Sequence, residues 1–143
     1  MTTRVVAAVL YDEAGRVLLA QRPADKHMGG YWEFPGGKIA AGEGAAQALQ
    51  RELLEELGVQ VETAHCRPLL QLRHAYPDRV IDLQVFVLER WGGAPVGLEG
   101  QALQWLPPGA LLRHGLLPAD RPIVAALLER EPGSAVTARV AGA

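Results

Sequence analysis

Gly36-Gly37-Lys38-Ile39-Ala40-Ala41-Gly42-Glu43 runs on, through a short alanine-rich stretch, into Arg51-Glu52-Leu53-Leu54-Glu55-Glu56-Leu57-Gly58-Val59. This spacing predicts a glycine-bearing loop that feeds a helix from about Gly44 to Leu57. On such a helix Glu52, Glu55 and Glu56 stand at i, i+3 and i+4 and share one face. Leu49, Leu53 and Leu57 form the neighbouring stripe, the side expected to face the core. Gly58 follows where a left-handed C-terminal residue belongs. Packing thus fixes one face of the helix and holds an acidic face beside it.

Three glutamates alone usually make a solvated helix face. Their like charges repel, so the arrangement costs stability unless a cation or water compensates. Glu43, near the helix start, adds a fourth acid, and Arg51 stands next to the set as a partner. Hard oxygen donors in this number suit Mg²⁺, with Mn²⁺ as a substitute; both bind phosphates while keeping some of their waters.

The chain around this segment is 143 residues long, enough for one domain with a real core. A hydrophobic share of 49% with 21% charged residues places it among globular proteins. A net charge of −2 and the lack of any basic run argue against a nucleic-acid polymer as partner. Only two of the 14 basic residues are lysines, Lys26 and Lys38, and both fall close to the acidic segment. The single Cys66 cannot form an intramolecular disulfide, so a reducing cytoplasm is the expected compartment and a structural thiol the expected role. No apolar run is long enough to span a membrane, and the short one at Val5–Leu10 reads as a strand.

Outward from the acidic helix, Val5 to Tyr11 reads as a buried strand and Arg16 to Gln21 as its hairpin partner across Asp12-Glu13-Ala14-Gly15. Arg22 to Gly30 is a polar loop, and Trp32 to Pro35 a short extended segment, since proline disfavours helix at Phe34. Val59 to Leu72 holds one or two strands broken at Arg67-Pro68, and His74 to Arg79 reads as a turn. Val80 to Glu89 is the clearest later strand. Ala102 to Leu106 is a short strand stopped by Pro107-Pro108-Gly109. A second helix follows Pro122, from Ile123 to Arg130. One domain over residues 1–131 is expected, with a loose tail at 132–143. Strands alternating with two main helices give a mixed α/β domain.

From Gly37, five residues to Glu43, then seven to Arg51-Glu52-Leu53, and on through Glu55-Glu56 to Gly58-Val59, the chain is similar to the full Nudix hydrolase signature. Every fixed position of that 23-residue pattern is filled. The resemblance implies an α/β/α sandwich with a mixed sheet and the signature loop-helix packed against it. It also implies Mg²⁺ held by Glu52, Glu55, Glu56 and the Gly36 backbone carbonyl. A further acid, Glu99, would ligate metal or serve as base. With Glu43 at the signature start, the catalytic set is Glu52, Glu99 and Glu43; the base is open between Glu52 and Glu99.

Further motifs resemble the MutT-type 8-oxo-dGTP diphosphatases within that family: Arg22-Pro23-Ala24-Asp25-Lys26-His27-Met28, Trp32-Glu33-Phe34-Pro35-Gly36-Gly37-Lys38, Tyr76-Pro77-Asp78-Arg79, Glu99-Gly100-Gln101 and Pro118-Ala119-Asp120-Arg121-Pro122. Together they cover most of the chain from Val5 to about Arg130. The resemblance implies cleavage of an oxidised nucleoside triphosphate to the monophosphate and pyrophosphate; a monomer is expected. Arg22 and His27 would contact substrate, Glu33, Phe34, Pro35 and Gly36 would line the cleft, and Arg79 would approach the base. Asp120 stands where those enzymes carry the asparagine that reads the base edge. An ionised aspartate only accepts hydrogen bonds, and the same segment also resembles the cytidine and 5-methylcytidine triphosphate pyrophosphohydrolases. A dinucleoside polyphosphate hydrolase, prompted by Tyr76, and a non-catalytic nucleotide-binding module are the weaker readings.

Overall fold

The computed structural model describes residues 2–130; the expected tail at 132–143 lies outside them. The elements are β1 (Thr2–Leu10), β2 (Val17–Gln21), β3 (Trp32–Glu33), β4 (Gly36–Lys38), α1 (Ala45–Leu57), β5 (Arg67–Tyr76), β6 (Arg79–Leu88), β7 (Leu103–Leu106) and α2 (Arg121–Glu129). A four-stranded sheet runs β4-β1-β6-β5, and a three-stranded antiparallel sheet runs β3-β2-β7. The larger sheet is mixed: β1 is parallel to β6, while β4 and β5 pair antiparallel.

β1 reads as a continuous apolar run because both of its faces are covered. Val6, Ala8 and Leu10 pack with Leu49, Leu53 and Leu57 of α1, whereas Ala7 and Val9 pack with Ile123, Val124 and Leu127 of α2. One strand therefore supplies both layers of the core, and the α/β/α sandwich follows. Within α1, Gly44 is the N-cap, and its N–H is taken by the Gln47 side chain at 2.9 Å, half of a capping box. Gly58 ends the helix with φ 70°, the left-handed residue foreseen from its position.

Three sequence expectations are corrected. The hairpin between the first two strands reduces to a single bridge, Tyr11↔Val17, because β4 and β6 already occupy both edges of β1. Chain reversal by Asp12 is retained: its carboxylate takes the N–H groups of Ala14 and Arg16. The glycine loop begins as a strand, with Val6 paired to Gly37 and Ala7 to Gly36. Only glycine fits at Gly36, where a Cβ would overlap the Val6 carbonyl oxygen. Finally, β5 runs straight through Pro68, which sits at a bulge in an edge strand, and continues to Tyr76, leaving only Pro77 and Asp78 as the turn.

Neighbouring residues of α1 test this packing. Leu53 is fully buried and Leu54 is 51% exposed. Leu53→Ala is expected to destabilise the fold by about 2–5 kcal/mol in urea unfolding, and Leu54→Ala by less than about 0.5 kcal/mol. Equal losses would contradict the assigned orientation of the helix.

Candidate active site

The site begins where α1 passes the two glycines of β4. A Cβ on Gly37 would overlap the Glu52 carboxylate, so the absence of a side chain is what lets that acid lie against the strand. The Gly36 backbone N–H lies near the carboxylate of Glu56 and favours its charged form. Loop and helix are further joined by Arg51. Its Nε and Nη2 donate to the two oxygens of Glu43, each at 2.8 Å, while Nη2 also reaches the Lys38 carbonyl at 3.1 Å. Nη1 donates to Glu52 at 2.8 Å and lies 3.6 Å from Glu55.

This guanidinium divides the acids. Its fork holds the Glu43 carboxyl down to about 2, helped by the Ala40 N–H. The Glu43 carboxylate, placed in the catalytic set from sequence, is thus taken up by Arg51 and the Ala40 N–H and does not line the cleft. Glu56 has the opposite environment. Burial, and then the charges of Glu52, Glu99 and Glu33, push its carboxyl up to about 8, with the Gly36 N–H opposing them. Among the described residues, neither Glu56 nor Glu99 takes part in an ion pair.

A cleft of about 440 Å³ opens beside Glu56, a size suited to a small-molecule ligand. It brings together Arg22, His27, Glu33, Phe34, Gly36, Arg79, Glu99 and Asp120, all named from sequence, although they come from every third of the chain. Glu52, Glu55 and Pro35 do not line it. Glu52 stands behind Gly37, Glu55 is 57% exposed beside Arg51, and Pro35 spends its carbonyl on the Ala8 N–H at 2.8 Å. Lys26 and Lys38 both line the cleft. Thr3, Ile81, Leu83 and Leu117 line it too and were missed by the sequence reading. The signal was available: Ile81 and Leu83 alternate on the β6 face that packs with α2.

Asp120 is buried in the cleft wall, and its Oδ2 accepts the Phe34 N–H at 3.0 Å. Burial raises its carboxyl to about 7, against the opposing Phe34 hydrogen bond, with Glu33 adding to the rise and Arg22 opposing it. Arg22 is itself tied, Nη1 to Glu33 at 3.0 Å and Nε to the His27 carbonyl at 2.9 Å, so it braces the cleft wall. Burial also raises Glu33, which that pair with Arg22 offsets in part. The Tyr76 ring meets His27 edge-on at 6.1 Å. Buried Arg79 Nε has no protein partner among the described residues. Cys66 lies outside the cleft, its thiol pushed up to about 11 by burial, as suits a structural residue.

The donor chemistry suits a hard divalent cation, because the helix and loop gather carboxylates that Arg51 neutralises only in part. No three His, Cys, Asp or Glu side chains among the described residues are already drawn into one cage. Glu52 and Glu55 are instead turned toward Arg51.

A mixed sheet between two helices, with a glycine strand and an acidic helix bordering a cleft of about 440 Å³, defines an α/β enzyme class. The NUDIX domain model matches residues 5–126, and the chain belongs to the NUDIX family. Over 124 residues the chain is 37% identical to the 8-oxo-dGTP diphosphatase of Escherichia coli (strain K12), covering 87% of this chain and 95% of that protein. It is 38% identical over 124 residues to the CTP pyrophosphohydrolase of the same strain, covering 87% and 90%. The solution structure of the E. coli ORF135 protein matches with a TM-score of 0.78 at 36% identity, covering 93% of this chain and 95% of that one.

The raised Asp120 carboxyl has a consequence for stability. Between the ordinary aspartate value of 3.8 and about 7 the folded state holds a proton that the unfolded chain has released. Stability from this group therefore falls as pH rises through that window. Asp120→Asn is expected to be more stable than the parent at about pH 8, on the order of a few kcal/mol, with the gain shrinking toward about pH 4. Urea unfolding of both proteins at the two pH values measures this; an offset independent of pH would contradict it.

Proposed function

We propose that this chain is a divalent-metal-dependent nucleoside triphosphate pyrophosphohydrolase that prefers 8-oxo-dGTP and releases 8-oxo-dGMP and pyrophosphate. The observation that carries the reaction type is that Glu56 and Glu99 line the cleft without an ion pair among the described residues, while Glu43, Glu52 and Glu55 beside it are held by Arg51. NUDIX hydrolases generally need a divalent metal. Here Glu56, Glu52, Glu55 and the Gly36 carbonyl would hold it, and it would screen the phosphoanhydride and lower the pKa of a bound water. Mg²⁺ is the proposed ion, with Mn²⁺ as substitute. The chain's own task is to take the water's proton and to hold the nucleotide. Glu99 is the better base, because Glu52 Oε1 is spent on Arg51 while Glu99 stands unpaired at the cleft. Lys26, Lys38 and Arg79 supply positive charge along the cleft for the phosphates and the base region.

Base choice falls to Asp120. A neutral carboxyl offers one donor and one acceptor, as an asparagine amide does. That pair matches the edge of 8-oxoguanine, where O6 accepts and N7–H donates. Ordinary guanine presents two acceptors there and fits less well. The cytosine edge, with its amino donor and N3 acceptor, satisfies the same carboxyl. The second reading, a cytidine-type triphosphate substrate, therefore rests on Asp120 and on the 38% identity to a CTP pyrophosphohydrolase. We further propose a cytoplasmic monomer in one domain over residues 1–131, acting on a small nucleotide. No helix among the described residues is long and apolar enough to cross a membrane.

Pyrophosphate release from 8-oxo-dGTP, dGTP, CTP and 5-methyl-dCTP tests the assignment. The expected result is a kcat/KM advantage for 8-oxo-dGTP of at least about tenfold, the worth of one good polar contact. No advantage over dGTP and the cytidines would overturn it. Glu56→Gln is expected to lose Mg²⁺-dependent turnover by about a hundredfold or more with an unchanged circular dichroism spectrum. Retained turnover would overturn the role given to Glu56.

A further inference from the structure

Glu99 sits on the loop between β6 and β7, and that loop is tied to the end of α1. Val96 N–H donates to the Leu57 carbonyl and Leu98 N–H to the Glu56 carbonyl, both at 3.0 Å. The Gln101 side chain joins the same carbonyl, its Nε2 donating to Glu56 O at 3.0 Å. Its Oε1 accepts the Glu99 N–H at 2.9 Å. The orientation of this amide is settled by its partners, since one can only donate and the other only accept. One side chain thus bridges the backbones of Glu56 and Glu99.

The rest of the loop is shaped around that bridge. Gly100 N–H closes a turn onto the Gly97 carbonyl at 3.1 Å, and Gly100 has φ 78°. A Cβ on Gly97 would overlap the Gln101 carbonyl oxygen and would stand 3.3 Å or less from neighbouring atoms of that residue. The tip carrying Glu99 is therefore folded back on Gln101. Val96 and Leu98 anchor the loop to α1 independently of it.

We propose that Gln101 is a positioning residue that sets the Glu99 carboxylate toward Glu56 across the cleft. The role rests on the reading of Glu99 as the group that takes the water's proton. Removing the amide frees the tip and leaves the loop's backbone anchors in place, so the change falls on catalysis more than on folding.

Steady-state kinetics on Glu99→Gln, Gln101→Met and the double variant test this, with Gln101→Ala made beside Gln101→Met and melting curves run on each. Gln101→Met is expected to lower kcat about tenfold to a hundredfold, the scale of a misplaced catalytic group, with nucleotide KM changed less than about threefold. In the Glu99→Gln background the same change is expected to cost less than about twofold, because the two residues act as one unit. Gln101→Ala follows the same pattern. If Glu99→Gln is crippled while the Gln101 variants keep the parent's kcat, the positioning role is overturned and the Glu99 reading stands. Losses that multiply in the double variant overturn the positioning role in the same way. If Glu99→Gln turns over like the parent, the Glu99 reading fails and takes this proposal with it.

Discussion

One guanidinium sets the terms for the whole site. Arg51 holds Glu43 with two bonds and Glu52 with a third, and it lies beside Glu55, so three of the four signature acids share a single cation. Its own proton is held more firmly still by those carboxylates. The ion pairs are half-exposed and individually contribute little to stability. Their effect is geometric. They tie the loop to the helix, fix the carboxylates against the glycines of β4, and leave Glu56 facing Glu52, Glu99 and Glu33 with no cation of its own. The repulsion among these acids falls on Glu56, next to the cleft.

The fold makes that imbalance stable. α1 is anchored by Leu49, Leu53 and Leu57 on a sheet whose other face is covered by α2, so the acidic face cannot rotate away. The glycines of β4 let strand and helix approach closely enough for the Glu52 carboxylate to lie against Gly37. In the same cleft, burial acts on a second carboxyl, that of Asp120, and favours its neutral form. Burial thus raises both carboxyls: at Glu56 a bound cation would oppose the rise, while at Asp120 the neutral group can both donate and accept.

Much of this was legible in the sequence, and the parts that were not share a cause. The helix, its buried stripe and its glycine ends follow from spacing along one element, which is local information. The cleft residues Arg22, Glu33, Arg79 and Asp120 were reached by resemblance to a family, because no periodicity relates positions so far apart. What escaped was pairing. The run from Arg16 to Gln21 reads as the partner of the first strand, yet both edges of β1 are taken by segments distant in sequence. The Arg51 fork was foreseen only as an available partner for the acids, and the division it makes between Glu43 and Glu56 depends on side-chain geometry. Gln101 was visible merely as part of Glu99-Gly100-Gln101, since its two bonds join residues 45 apart in the chain and two apart.

The central claim is that Glu56 is the focus of an acidic site completed by a divalent cation. Mn²⁺ titrated into the nucleotide-free protein and followed by electron paramagnetic resonance measures this without reference to turnover. The account predicts saturable binding by the parent protein and an affinity lower by about tenfold or more in Glu56→Gln, as expected for loss of a ligand or its support. Equal affinity in the two proteins would contradict it.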